Sequence, residues 1–501
     1  MPSLGPEIPP ILTTKGSPFI LLPLSLTCIN LLLAFMLSRS DSTPSTHVSH
    51  GACSCTDDME KCDHQDVPSA MTNSALHTEA APEDQLEKNS AHLPAELTPA
   101  DSGYAWVIVI CAAFNLMCTL GVVNSFGVFS TYYINYIYPS VSAASIAWVG
   151  TTMSLFMLGG AIATGPLTDR FGFRLVSLAG TVICCVALLL ASFTSALWQL
   201  VLTQGIMFGI GAACIFSPSV SLPAQWHEKR RPLATGIAVA GSGAGGMIFT
   251  VATQNMMDTI GHKWTLRALA LILLCVSGTA GMFYKRRVSV PRGGISLGAI
   301  ARDPRLIAVG MAGFMVNVSY FVPWFYLPTA ALKIGQTKQA ANNLILYMNA
   351  GSTVGRILAA YAAMLLGPIN SIAIAYVICS VLVLVVMLAV KSMTAYIILA
   401  VIYGGLSASF ISITPLVLTN IFGTQAVTTA MGIMNMWCAI GVLIGNPSQG
   451  AIYQRFDRPH NEFTAMSIWG FTGLLLAACS YLLLKAIIIR NSPRQHLWSK
   501  L

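Results

Sequence analysis

Stretches of about twenty apolar residues recur along this chain, and their length dictates what it can fold into. They fall near 105–130, 143–166, 176–194, 197–222, 233–255, 266–284, 305–330, 340–366, 370–390, 394–420, 427–447 and 465–489. A helix rising ~1.5 Å per residue needs ~20 apolar residues to cross ~30 Å of hydrocarbon, so each stretch is one membrane crossing. The runs are continuous rather than alternating, which argues against a membrane β-barrel. The expected fold is an all-α membrane protein with twelve transmembrane helices, spans one to twelve.

Charge is scarce and uneven. Asp, Glu, Lys and Arg make up 9% of the chain, whereas 55% is hydrophobic; a soluble protein carries about a quarter charged residues. Of the 19 acidic residues, 13 lie at or before Asp101, leaving Asp169, Glu228, Asp258, Asp303, Asp457 and Glu462 for the body. Residues 1–100 thus read as a polar tail. Its 40–100 stretch is rich in Ser, Thr, His, Asp and Glu, too poor in apolar surface to offset the entropy of ordering, and disorder is expected. Within the tail, Phe19 to Leu37 is apolar, and is a signal peptide, an extra span or neither. Cys53, Cys55 and Cys62 with His50 and His64 are the one grouping that could hold a metal. They lack a second CxxC or HxxxH half, so neither a metal site nor a cofactor is expected.

Lys and Arg set the orientation. With the segment before span one on the cytoplasmic side, the even-numbered loops hold Arg170, Arg174, Lys229, Arg230, Arg231, Lys285, Arg286, Arg287, Arg292, Arg302 and Arg305. The odd-numbered loops hold Lys263, Lys333, Lys338, Lys391, Arg455 and Arg458, with Arg267 at a span edge. Both ends of the body are therefore expected in the cytoplasm. The basic loop 285–304 separates a six-helix bundle over 101–284 from a second over 305–490, with a tail over 491–501. The plasma membrane is favoured over vacuolar or other internal membranes.

The two halves echo each other. Span four carries Pro218 and span ten carries Pro415; Thr235-Gly236-Ile237 opens span five, and Met431-Gly432-Ile433 opens span eleven. Gly241, Gly243, Gly245 and Gly246 follow in the one, Gly441 and Gly445 in the other. Broken and glycine-rich helices at matching places suggest a parallel repeat around a central cavity.

One full charge sits inside a span. Arg356 precedes Leu366, the expected end of span eight, by ten residues, which places it ~15 Å deep, near the bilayer centre. An Arg there costs ~2.5–3.5 kcal/mol on insertion scales and should face the bundle interior. Its guanidinium suits a carboxylate; the competing reading is a structural Arg bound to backbone carbonyls. Asn349 shares its helical face. Asn124, Asn435 and the aromatics Tyr320, Trp324 and Tyr326 around Pro323 are further candidates for lining a cavity, with packing or interhelical hydrogen bonding as the alternative for each. No Asp, Glu or His lies deep in any span. The chain also lacks a phosphate loop, a GxSxG elbow and an HExxH helix, so neither an ATP-driven pump nor a membrane hydrolase is expected.

Gly165-Pro166-Leu167-Thr168-Asp169-Arg170-Phe171-Gly172-Phe173-Arg174 resembles the loop signature of the major facilitator superfamily. The resemblance implies two six-helix halves that rock about a midplane site, with Asp169, Arg170 and Arg174 as a conformational latch. Asp101-Ser102-Gly103-Tyr104-Ala105-Trp106, and the stretch from Trp226 through Pro232 to Gly236, resemble the paired signatures of the monocarboxylate transporter family in its fungal-like form. Asn124 to Phe129 and Tyr320 to Pro328 add to that likeness, which covers about residues 101–490. Proton-coupled animal members of that family carry an Asp one turn before the span-eight Arg and a Lys in span one. The corresponding residues here are Ser352 and Asn124, which puts that mode of proton coupling in doubt. The expected function is secondary transport of a small organic solute, a monocarboxylate, in a lipid bilayer, without nucleic acid; the coupling ion stays open. The alternatives are transport or efflux of a larger neutral or weakly acidic compound, riboflavin-like or a secondary metabolite, and a solute receptor of transporter fold.

Overall fold

The computed structural model describes residues 101–139, 141, 143–287, 297–389, 391–457 and 463–491. The apolar run from Phe19 to Leu37, the Cys53, Cys55 and Cys62 grouping, Arg292, Arg458 and the 492–501 tail lie outside these residues. Among the described residues, nine helices are long and apolar enough to cross a membrane. Arg231–Met282 turns back at Gly261 and supplies spans five and six. Ala143–Gly159 runs on into the Ala161–Ala191 helix, which reverses at Gly172; span two ends there and span three begins. Lys338–Leu366 is made more polar by Asn349, Ser352 and Arg356, and is span eight. With Gly103–Tyr132, Leu197–Trp226, Pro304–Lys333, Pro368–Ala389, Met393–Gly423, Ala426–Asp457 and Thr464–Arg490, the total is the twelve spans expected from hydropathy.

The reversals share one device. Gly172 (φ 82, ψ 157), Gly261 (φ 76, ψ 166), Gly367 (φ 85, ψ 150) and Gly423 (φ 77, ψ 172) each turn the chain between consecutive spans. That conformation is essentially confined to glycine, and another residue there is strained by ~1–3 kcal/mol. Gly172 closes the second span of the first half and Gly367 the second span of the other, a further sign of the repeat. No heavy atom would meet a Cβ at Gly423, so Gly423→Ala isolates the backbone term. Its midpoint of thermal unfolding in detergent is expected to fall, whereas Gly127→Ala, at an open helical position with ordinary φ, should not lower it.

Packing repeats as well. Span one lies along span five, and span seven along span eleven. Gly241 and Gly245 bring span five onto the backbone of Ala113 and Met117, while Gly441 and Gly445 bring span eleven onto Phe314 and Val318. Between the halves, span two meets span eleven and span five meets span eight. Several of these contacts lie toward the basic loops, Gly432 against Ala161 and Ile162, Gly236 against Arg356 and Ala360, and Gly165 against Thr429; Gly243 against Thr353 and Gly246 against Asn349 lie deeper in the bundle. The halves thus touch closely on the basic face and again deeper in the bundle.

Candidate functional site

A cavity lies between the halves, with about 1080 Å³ of empty space when the solvent open to it is included. Seven of the eight residues singled out in the sequence line it: Asn124, Tyr320, Trp324, Asn349, Ser352, Arg356 and Asn435. They converge from spans one, seven, eight and eleven. Tyr326 does not; it packs on Tyr453, ring centroids 4.9 Å apart. Helical geometry explains the split. Tyr320 and Trp324 are four residues apart and share a face, stacked at 6.0 Å, while Tyr326 is displaced by about 200° from Trp324. Pro323 lacks the N–H that would bond the Ser319 carbonyl, and the helix is interrupted at Tyr320.

Arg356 is 5% exposed and, among the described residues, the one charged residue in the lining. Its Nη1 donates to the Val239 carbonyl of span five at 2.8 Å. That carbonyl also accepts from the Ser242 hydroxyl at 2.6 Å. Arg356 Nε has no hydrogen-bond partner, nor has Asn435 Nδ2. The guanidinium therefore crosses from one half to the other and keeps donor capacity for a ligand. Asn349 donates to the Ile345 carbonyl at 3.0 Å, and its Oδ1, like Asn124 Nδ2, stands where a side chain on Gly246 would be. These two amides from opposite halves meet because residue 246 is a glycine.

Most of the rest of the wall is apolar, with Ser154, Ser242, Asn317, Ser407 and Thr414 set into it. Phe216, Phe321 and Phe410, with Met157, Met431 and Met434, were not singled out by sequence reasoning. The spacing 431, 434, 435, 438, 442 is one face of span eleven, and could have been read from Asn435 outward. Asn317, three residues before Tyr320, follows the same logic. Phe216 and Phe410 carried no signal that separates them from other core aromatics.

The latch candidates sit on the basic face. Asp169 pairs with Arg286 at 2.6 Å, and its carbonyl accepts from the same Arg at 3.1 Å. Sequence reading had favoured Arg170 or a nearby helix end. Arg170 instead stacks over Phe171 at 5.3 Å, and Arg174 is exposed beyond the Gly172 reversal. The Asp169–Arg286 pair ties span two to the end of span six, inside the first half. We expect Asp169→Asn to lower the maximal transport rate more than the affinity, by up to roughly fivefold, since a half-exposed pair is worth ~1 kcal/mol or less. Arg286→Gln should behave alike, and the double variant no worse than either alone. Unchanged maximal rates with altered affinity would remove the latch.

The two other signature stretches interlock beside it. Asp101 N–H donates to the Trp226 carbonyl at 3.1 Å, and Lys229 N–H to Asp101 Oδ2 at 3.3 Å. Trp106 meets His227 edge-on at 5.1 Å, and Trp226 Nε1 donates to the Lys285 carbonyl at 3.0 Å. Burial holds the His227 imidazole below its usual pKa, with Arg230 adding to the effect, against the Pro223 carbonyl and Asp101, which pull it up. The cluster fastens the start of span one to the ends of spans four and six.

Comparison with known proteins agrees with this architecture. The family model described as Major Facilitator Superfamily matches residues 105–446. The MFS-type transporter pynF of Aspergillus niger is 32% identical, the match covering 75% of this chain and 90% of that one. The aspyridones efflux protein apdF of Emericella nidulans is 30% identical, covering 77% of each. Among solved structures, the fucose:proton symporter FucP of E. coli superposes with a TM-score of 0.59 at 15% identity, covering 76% of this chain and 99% of that one. The chain belongs to the Major Facilitator Superfamily. It is a multi-pass membrane protein and a secondary transporter, not an enzyme.

Proposed function

We propose that this transporter exports a bulky, weakly acidic organic compound of the secondary-metabolite kind, by alternating access of the two halves. The observation that carries the reading is the cavity. It is walled mostly by aromatic and apolar side chains with a few polar groups among them, the make-up of sites that take drug-sized ligands. Arg356 and Asn435 supply donors for an acidic or carbonyl oxygen, and the face of Tyr320 and Trp324 suits a flat ring system. A small monocarboxylate would engage Arg356 and leave most of this wall untouched. The likeness to the monocarboxylate transporter signatures is thus a likeness of scaffold, and the Ser352 and Asn124 departures fall in the cavity itself. A relative named for aspyridone efflux supports the outward direction, and the plasma membrane is the location that suits export.

Two measurements test this. Cells with and without the protein are compared for compounds in the medium and retained inside, and uptake of labelled lactate and pyruvate is measured in the same cells. Protein-dependent release of an aromatic or polycyclic acid, with lactate flux unchanged, is expected. Protein-dependent lactate or pyruvate flux, with no change in released compounds, would return the reading to a monocarboxylate carrier.

A further inference from the structure

We propose that this transporter is an anion exchanger: the cavity must hold an anion on the return half of its cycle as well as on the export half. The inference rests on the reading above that the cargo is acidic, and follows from a charge imbalance. Between residues 101 and 491 the acidic residues are Asp101, Asp169, Glu228, Asp258, Asp303, Asp457 and Glu462, all at or beyond the ends of spans. Among the described residues no acidic residue lines the cavity, and Arg356 is the one charged residue that does. What Arg356 touches is the Val239 carbonyl, a neutral dipole that already accepts from Ser242. One turn earlier, where a carboxylate would neutralise it, stands Ser352, also in the lining.

The consequence appears when the halves rock. In either open state water in the cavity solvates the guanidinium. Between them the cavity must close around it, and a closed apolar chamber with an unbalanced charge is a high-energy state. A bound carboxylate cancels the charge and lowers that barrier; an unloaded transporter has nothing to cancel it. Loaded protein therefore turns over quickly in both directions, and unloaded protein returns slowly.

The test uses the full-length chain in proteoliposomes loaded with self-quenched carboxyfluorescein, an aromatic carboxylate. Potassium and valinomycin shunt charge, and protein-free vesicles correct for leak. Outside is either 1-naphthoate or dextran sulfate, which is too large for the cavity. Release is expected to be at least tenfold faster with 1-naphthoate outside. Ser352→Asp, which puts a countercharge beside Arg356, should bring the ratio of the two rates toward one even where it slows both. Equal release by the wild type in the two media would overturn the exchange mechanism while leaving organic-anion transport standing. Release in neither medium would overturn both, and the acidic cargo would be the claim that failed.

Discussion

Arg356→Ala is expected to lower export of an organic acid roughly 10- to 100-fold, with the protein still present in the membrane. Hydrogen bonds to charged groups are worth ~1.5–3 kcal/mol, and each ~1.4 kcal/mol is a factor of ten. The bond from Nη1 to Val239 is lost too, but a backbone carbonyl retains its helical partner and Ser242, so folding should suffer less than transport. Arg356→Lys should not restore activity. A guanidinium can hold the Val239 carbonyl with one arm and a carboxylate with another, whereas an ammonium is a point charge that loses its proton more readily when buried. Initial rates normalised to protein at the membrane decide the matter. Wild-type rates for Arg356→Ala would show that the cargo is held by the aromatic wall without an ionic contact, and would remove the acidic cargo from the account.

Gly404→Ala is expected to have the second large effect, on the scaffold. A Cβ there would collide with the backbone of Met348, and one on Gly351 with the backbone of Val401. The opposing atoms are main chain and cannot swing aside, so spans eight and ten would have to part. Overpacking of this kind costs ~1–3 kcal/mol, and parting the pair displaces Arg356 on the same helix. The yield of monodisperse protein and its unfolding midpoint should both fall for Gly404→Ala and Gly351→Ala. Gly127→Ala, with open space around it, should match or exceed the wild type, because Gly in a helix interior is ~1 kcal/mol less favourable than Ala. Equal behaviour of Gly404→Ala and Gly127→Ala would mean that the close contact does not exist in the membrane.

The spans were legible because hydrocarbon thickness writes a ~20-residue period into any chain that crosses it. The repeat was legible from Gly236 and Gly432, since close helix contact leaves glycine no substitute. Arg356 stood out because a charge in a span must have a reason to be there. Other features were hidden for physical reasons. The reversal at Gly261 falls inside the gap that hydropathy leaves between spans five and six, but the positive φ that makes the turn has no signal in composition. Arg286 lies 117 residues from Asp169, so only the fold brings the pair together. Tyr326 was grouped with Tyr320 and Trp324 by proximity in sequence, where the 3.6-residue turn would have separated it. The identity of the cargo was read less well. The scaffold signatures point toward small acids, whereas cavity size depends on side chains such as Phe216, Phe410 and Met434, which look like ordinary core residues until the halves are assembled.

The central claim is that an organic acid rides in the cavity between the halves with Arg356 as its anchor. The most direct test is an electron cryo-microscopy map of the full-length protein with an exported compound. The account predicts ligand density bounded by spans one, seven, eight and eleven, with an oxygen within hydrogen-bond distance of the Arg356 guanidinium and a ring against Trp324 or Tyr320. Ligand density elsewhere on the protein, with that cavity unoccupied and Arg356 bound to Val239 alone, would contradict it.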